Sequence, residues 1–247
     1  MIEMPEKSEY NTLWQFLEIS AGDASGVLQR FAELDGAVQR GEGLAQFVYI
    51  PGSRRDRVVL VAHADTVWDE AYTRVRPVDS SVLCTAGVLR SASNEIGIGV
   101  DDRAGCAMLW ILRNLGHSLL ITNGEECGRK GSKWLMSDNQ DIADELNDTH
   151  QFMVQLDREN GREYKCYCVG SEIFRAYVEE TTGYTEPDRK RKTDIVDLCR
   201  GISGVNLSIG YYDPHDACAS LNLKEWLATL NLCRQWLGES NLPKFTL

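Results

Sequence analysis

Arg54-Arg55-Asp56-Arg57-Val58-Val59-Leu60-Val61-Ala62-His63-Ala64-Asp65 passes from charge to an unbroken apolar run, then to two chemistry-bearing side chains. A short apolar run bounded by charge reads as a strand buried on both faces, the kind found inside a parallel sheet. His63 and Asp65 therefore emerge where a buried strand ends. The pattern recurs down the chain. Ser118–Thr122 leads into Asn123-Gly124-Glu125-Glu126, and Phe152–Leu156 into Asp157. Val205–Ile209 leads into Gly210-Tyr211-Tyr212-Asp213-Pro214-His215.

Between these runs lie helical patterns. Residues 9–19 (Leu13, Phe16, Leu17) and 24–35 (Val27, Leu28, Phe31, Leu34) carry helical spacing, and Gly36 stops the second. Residues 103–115 present a small apolar face capped by Gly116. Further helices are expected at about 131–136, 140–146, 171–181, 195–199 and 222–237. Ala45–Ile50 reads as a strand ending at Pro51-Gly52, residues 82–91 as a short hairpin within an irregular 68–96, and 164–169 as another strand. Residues 183–192 read as a loop. Strands alternating with helices predict an α/β fold, three layers α/β/α around a mostly parallel central sheet. In such sheets ligands collect beyond the carboxyl ends of the strands. The polar groups named above therefore share one edge.

The bulk composition narrows the classes. At 247 residues the chain is long enough to build a full core as one domain spanning 1–247. A net charge of −11 argues against a nucleic-acid partner, which wants a basic face. No stretch is apolar enough for a membrane span, and the first ten residues lack the features of a signal peptide. The eight cysteines are scattered, without paired spacing for structural zinc, and suggest a reducing, cytoplasmic setting. An oligomer is possible, but nothing in the sequence indicates one.

His63, Asp101, Glu126, Asp157 and His215 form a candidate ligand set, with Glu125 as a candidate base. Two divalent cations sharing a water polarise a scissile carbonyl, and such a site wants imidazole and carboxylate ligands. One carboxylate must bridge the ions, and another must stay unligated to take the water's proton. Adjacent Glu125 and Glu126 can divide ligand and base roles. Asp65, two residues from His63, is placed to accept the second ring N–H of His63 and fix its tautomer.

The segments H-A-D-T-V (63–67), G-V-D-D-R-A-G (99–105) and G-E-E-C-G-R-K-G-S (124–132) resemble the motifs of the co-catalytic di-zinc exopeptidase clan, over about 9–237. The stretch at 204–215 is most similar to its single-domain zinc aminopeptidases. The resemblance implies that His63 and Asp157 hold one metal, Glu126 and His215 the other, and that Asp101 bridges. It implies Glu125 as general base, Asp65 as the residue that orients His63, and a cis peptide between Asp101 and Asp102. It also implies zinc, with cobalt or manganese as alternatives. The gaps from His63 to Asp101 and from Asp157 to His215 are too short for an inserted dimerisation or lid domain. Substrate groups must then come from loops 66–99 or 183–192, or from a partner subunit.

These readings lead to a di-metal hydrolase cleaving peptide or amide bonds near a chain end, an aminopeptidase first. A deacylase of N-acyl amino acids or small amides is the alternative, and a non-catalytic metal- or peptide-binding scaffold is the reading of another class. Asp102, Asp213 and Asp216 are spare carboxylates for a substrate amine. His117 and His150 read as surface residues, and Cys106 and Cys127 as small packing residues. The Arg189–Lys192 run reads as a solvated loop or as an anchor for a substrate carboxylate.

Overall fold

Four apolar runs form the parallel heart of the sheet: β3 (Val59–His63), β6 (Ser118–Thr122), β7 (Met153–Glu159) and β9 (Gly204–Tyr212). The computed structural model describes residues 7–20, 22–68, 81–93, 95–188 and 192–247. Every residue of β3 and β6 is buried, as the unbroken apolar runs require. β3 lies parallel between β6 and β7, and β9 continues parallel to β7.

The flanks are antiparallel. A hairpin of β1 (Val38–Glu42) and β2 (Ala45–Ile50) pairs through β2 with β6. On the far side, β10 (Ser220–Asn222) joins β9 to a second hairpin, β4 (Val82–Thr85) and β5 (Val88–Ser91). β8 (Tyr164–Lys165) pairs with the first half of β9. The ten described strands make one sheet, with β1 and β4 at its edges.

Strand alternation divides the core into two layers. Leu60 and Ala62 of β3 pack on one face, with α1 (Lys7–Leu17), α2 (Ala24–Ala32), α3 (Val100–Leu112), α6 (Glu172–Thr182) and α8 (Leu223–Gly238). Val59 and Val61 face the other way, against α4 (Lys130–Asp138), α5 (Gln140–Asp148) and the short α7 (Ile195–Leu198). This is the expected three-layer α/β/α arrangement. No helix among the described residues is long and apolar enough to cross a membrane.

Several local expectations change. The strand expected over 164–169 stops at Lys165, because the chain turns through Tyr167 at φ +51° and Val169 N–H returns to the Cys166 carbonyl. Cys166 and Cys168 thus flank a turn. β1 was not expected, since Val-Gln-Arg-Gly-Glu has no apolar run; its partner β2 supplies the ladder. His117 and His150 are buried, not surface residues. His117 accepts from Val58 N–H and donates to the Leu237 carbonyl, while His150 meets Ser118 Oγ at 2.8 Å. Both sit at the amino edge of the sheet, where helix ends fold over it. Residues 69–80 and 189–191, parts of the two loops expected to meet substrate, lie outside the described residues.

Candidate metal centre

The aligned carboxyl ends of the central strands bring the ligand candidates together. His63 is the last residue of β3 and pairs with Thr122, the last residue of β6. Glu125 and Glu126 follow in a turn that leads to α4. Asp157 lies inside β7, where the register with β9 shifts on both sides of Arg158. Irregularities of this kind re-aim side chains. The Asn206 amide takes over the pairing there, accepting Asp157 N–H and donating to the Asp157 carbonyl.

Asp101 and Asp102 stand before the regular part of α3, with non-helical backbone angles and a cis peptide between them. Asp102 caps the helix, its Oδ1 accepting Gly105 N–H at 3.0 Å. Gly105 is needed here, because a Cβ would lie 2.1 Å from the Leu156 carbonyl and 2.2 Å from Asp102 Oδ1. The close approach of α3 to β7 sets the spacing of Asp101 and Asp157.

Asp101 stands between two imidazoles. His63 Nε2 lies 3.0 Å from Asp101 Oδ1 and 3.6 Å from Asp157 Oδ1. His215 Nε2 lies 3.4 Å from Asp101 Oδ2 and 3.2 Å from Glu126 Oε1. Each Asp101 oxygen therefore faces a different histidine. A proton on His63 Nδ1, given to the Asp65 carbonyl 2.9 Å away, leaves the Nε2 lone pair toward Asp101 and Asp157. His215 comes from the loop after β9 and is half exposed, whereas Asp101, Glu126 and Asp157 are nearly buried.

Asp65 meets the second ring nitrogen of His63, but not from the same strand face. β3 ends at His63, so Asp65 does not continue its strand face. Its main-chain oxygen meets His63 Nδ1, and its carboxylate is 3.4 Å from that atom. The carboxylate accepts the backbone N–H groups of Glu125 and Glu126, both at 3.1 Å. It braces the two-glutamate turn against the end of β3. Asp102 does not serve as a spare carboxylate either. It is fully buried and accepts His63 N–H through Oδ2. Asp213 and Asp216 are exposed and do not line the cleft.

The electrostatics are those of crowded, desolvated acids. Burial, then the charge of Asp101, raises the pKa of Asp157 and of Glu126. Burial raises Glu125 well above its usual value; Asp194, Asp157 and Asp101 add to this, while His63 opposes it. Burial also works against charge on Asp101, yet His215 and His63 outweigh it and hold its pKa far below normal. His63 is itself disfavoured as a cation by burial, but Asp157, Asp101 and Asp65 raise its pKa. The Asp101 and Glu126 carboxylates beside it push His215 up to about 10.

This donor set fits divalent cations. His63, Asp101 and Glu126 present ligand atoms within 4.8 Å of one another, and so do His63, Asp102 and Asp157. Asp102 is already committed to two backbone N–H groups, so it shapes the second cluster without being its natural ligand. Glu126 Oε1 is buried without a hydrogen bond, and only an ion-pair distance relates it to His215. The cleft encloses a cavity of about 100 Å³, and a water needs about 10–15 Å³, so small ions and a water have room.

Residues around the set were not singled out by sequence. Asp157 Oδ2 accepts from Gln155 Nε2 at 2.9 Å and Thr193 Oγ1 at 2.7 Å, and Oδ1 accepts from the Tyr211 hydroxyl at 3.2 Å. Asp194 is buried, accepts from Thr122 Oγ1, and has its pKa raised to about 6 chiefly by burial. Gln155 and Asn206 had a signal: each is a polar residue inside an apolar strand run, which is costly unless it is bonded. Thr193 and Asp194 had none.

No family profile matches the chain, and no curated protein sequence matches it. Solved structures do. A TET aminopeptidase from a marine sediment Thaumarchaeota archaeon superposes with a TM-score of 0.67 at 11% identity, covering 96% of this chain and 98% of that one. An aminopeptidase from the archaeon Desulfurococcus kamchatkensis gives 0.65 at 13%, covering 95% and 96%. A tripeptidase from Staphylococcus aureus gives 0.64 at 13%, covering 91% and 96%. At such identities the likeness is one of fold: this chain has the α/β fold that these two aminopeptidases and the tripeptidase share.

Proposed function

We propose that the chain is a metal-dependent exopeptidase, an aminopeptidase first, formed as one catalytic domain and acting in the cytoplasm with two divalent cations, zinc foremost. One observation carries this reading: each oxygen of Asp101 faces its own histidine, with Asp157 on one side and Glu126 on the other. His63 and Asp157 would hold one cation, Glu126 and His215 the other, and Asp101 both. When bound, such a pair polarises the scissile carbonyl and acidifies a shared water.

The chain's own residues supply the rest. Glu125 is held by the turn that Asp65 braces, next to the ligands but outside the tight ligand clusters. Its raised proton affinity suits a group that accepts a proton from water and returns it to the leaving amine. Gln155, Thr193 and Tyr211 fix the Asp157 carboxylate, as partners of ligands do. The cleft is lined by Asp101, Glu125, Glu126, Asp157 and Glu159, an acidic surround that favours a cationic α-amine over an acylated one.

The test is a substrate panel in zinc, cobalt or manganese: aminoacyl-p-nitroanilides against N-acetyl amino acids. Hydrolysis of the free-amine substrates is expected. Cleavage of the acylated set alone would replace aminopeptidase by deacylase. Absence of turnover with every metal would leave the scaffold reading.

A further inference from the structure

Two cations stand in the wall of this otherwise acidic cleft. Arg158 and Lys192 line it together with Tyr167, Thr193 and Asn206. Neither is used by the hydrolytic chemistry above. Arg158 follows Asp157 directly on β7 and is only 5% exposed. One arm of its guanidinium, Nη2, donates to Glu163 at 2.7 Å, while the buried Nε has no partner. An arginine donor buried without an acceptor costs free energy unless a ligand satisfies it.

Lys192 also lines the cleft and is exposed. Its neighbour Thr193 donates to Asp157 Oδ2. The two cations are thus attached, through chain neighbours, to the same ligand carboxylate. Beside them the Tyr167 hydroxyl accepts from Asn206 Nδ2 at 3.4 Å, leaving its own proton to donate. Guanidinium, ammonium and phenol are all donors. These three donors, two of them charged, form a patch in a cleft whose other charged lining is acidic; such a patch suits an acceptor-only anion, and a planar carboxylate matches the guanidinium best.

We infer that Arg158 and Lys192 dock a carboxylate of the substrate, lying within a residue or so of the scissile bond. The inference rests on the hydrolase reading and adds a substrate class to it. The carboxylate has two possible sources: the free C-terminus of a very short peptide, or an acidic side chain on the first residue.

Two substrate pairs separate the sources in the metal-loaded full chain. Leucyl-glycine against leucyl-glycinamide tests the terminal carboxylate, and glutamyl- against glutaminyl-p-nitroanilide tests the side chain. In one pair the charged member should have the higher kcat/KM, by on the order of tenfold. Lys192→Gln, an exposed change, should bring that ratio toward one, mainly through KM. Lys244→Gln removes the same charge where Lys244 donates to the Asp148 carbonyl, and should leave the ratio unchanged. Equal rates within both pairs would overturn the inference, and so would a preference that Lys192→Gln leaves intact. If no substrate is turned over, including leucyl-p-nitroanilide, the underlying hydrolase reading has failed instead.

Discussion

At the scale of single residues, chemistry was more legible than partnership. His63, Glu126, Asp157 and His215 are each a histidine or acid placed just after, or near the end of, an apolar run, Asp101 opens a helix, and the structure gathers the five within a few ångströms. Asp65 shows the limit. A spacing of two suggests one strand face, but the strand ends at His63, and the carboxylate, 3.4 Å from His63 Nδ1, also accepts Glu125 N–H and Glu126 N–H. Where a strand stops is set by its neighbours and is invisible in a residue count. Asp65→Ala should leave both N–H groups without their acceptor. Urea unfolding should show a loss of about 2 kcal/mol, with lower kcat in the same protein. An unchanged unfolding midpoint would mean that the brace carries no energy.

At the scale of elements, the four buried strands and most helices were readable, because apolar runs and 3.6-residue spacing report burial directly. β1 and β10 were not, since a polar edge strand and a three-residue strand exist through their ladders. The packing of α3 on β7 was equally hidden. Gly105→Ala would force the Leu156 carbonyl and Asp102 away from a new methyl group. We expect about 1–3 kcal/mol of destabilisation and weaker metal binding, read by thermal unfolding and metal titration; full stability would show that the helix can shift without cost.

Buried His150, which ties the segment after α5 to β6 through Ser118, gives a pH signature. Burial lowers its pKa from 6.5 to about 4, so the unfolded chain takes up the proton first as pH falls. Stability that is present above pH 6.5 should therefore drain away between pH 6.5 and about 4, by up to about 3 kcal/mol. His150→Gln should flatten this slope in unfolding measured across that range. An identical slope in the variant would assign it to other groups.

At the scale of the whole molecule, fold and site agree for a physical reason. Parallel strands that enter the sheet from the same end must leave it at the same end, so whatever follows each apolar run meets its counterparts. Sequence order thereby becomes a spatial cluster, although Asp101 lies 38 positions after His63. The carboxylates so gathered are buried and repel one another; burial first, and then that repulsion, makes Asp157, Glu126 and Glu125 hold protons more tightly than usual. Divalent cations relieve that repulsion, so metal and fold should stabilise each other.

The central claim is that these ligands hold two cations while Glu125 moves the proton. The direct measurement is metal content together with aminoacyl hydrolysis, in the native chain and in Glu125→Gln. We expect about two metals per chain in both proteins and a rate lower by about 10²–10⁴-fold in the variant. A Glu125→Gln protein that hydrolyses at the native rate, or a native chain that binds no divalent metal, would contradict it.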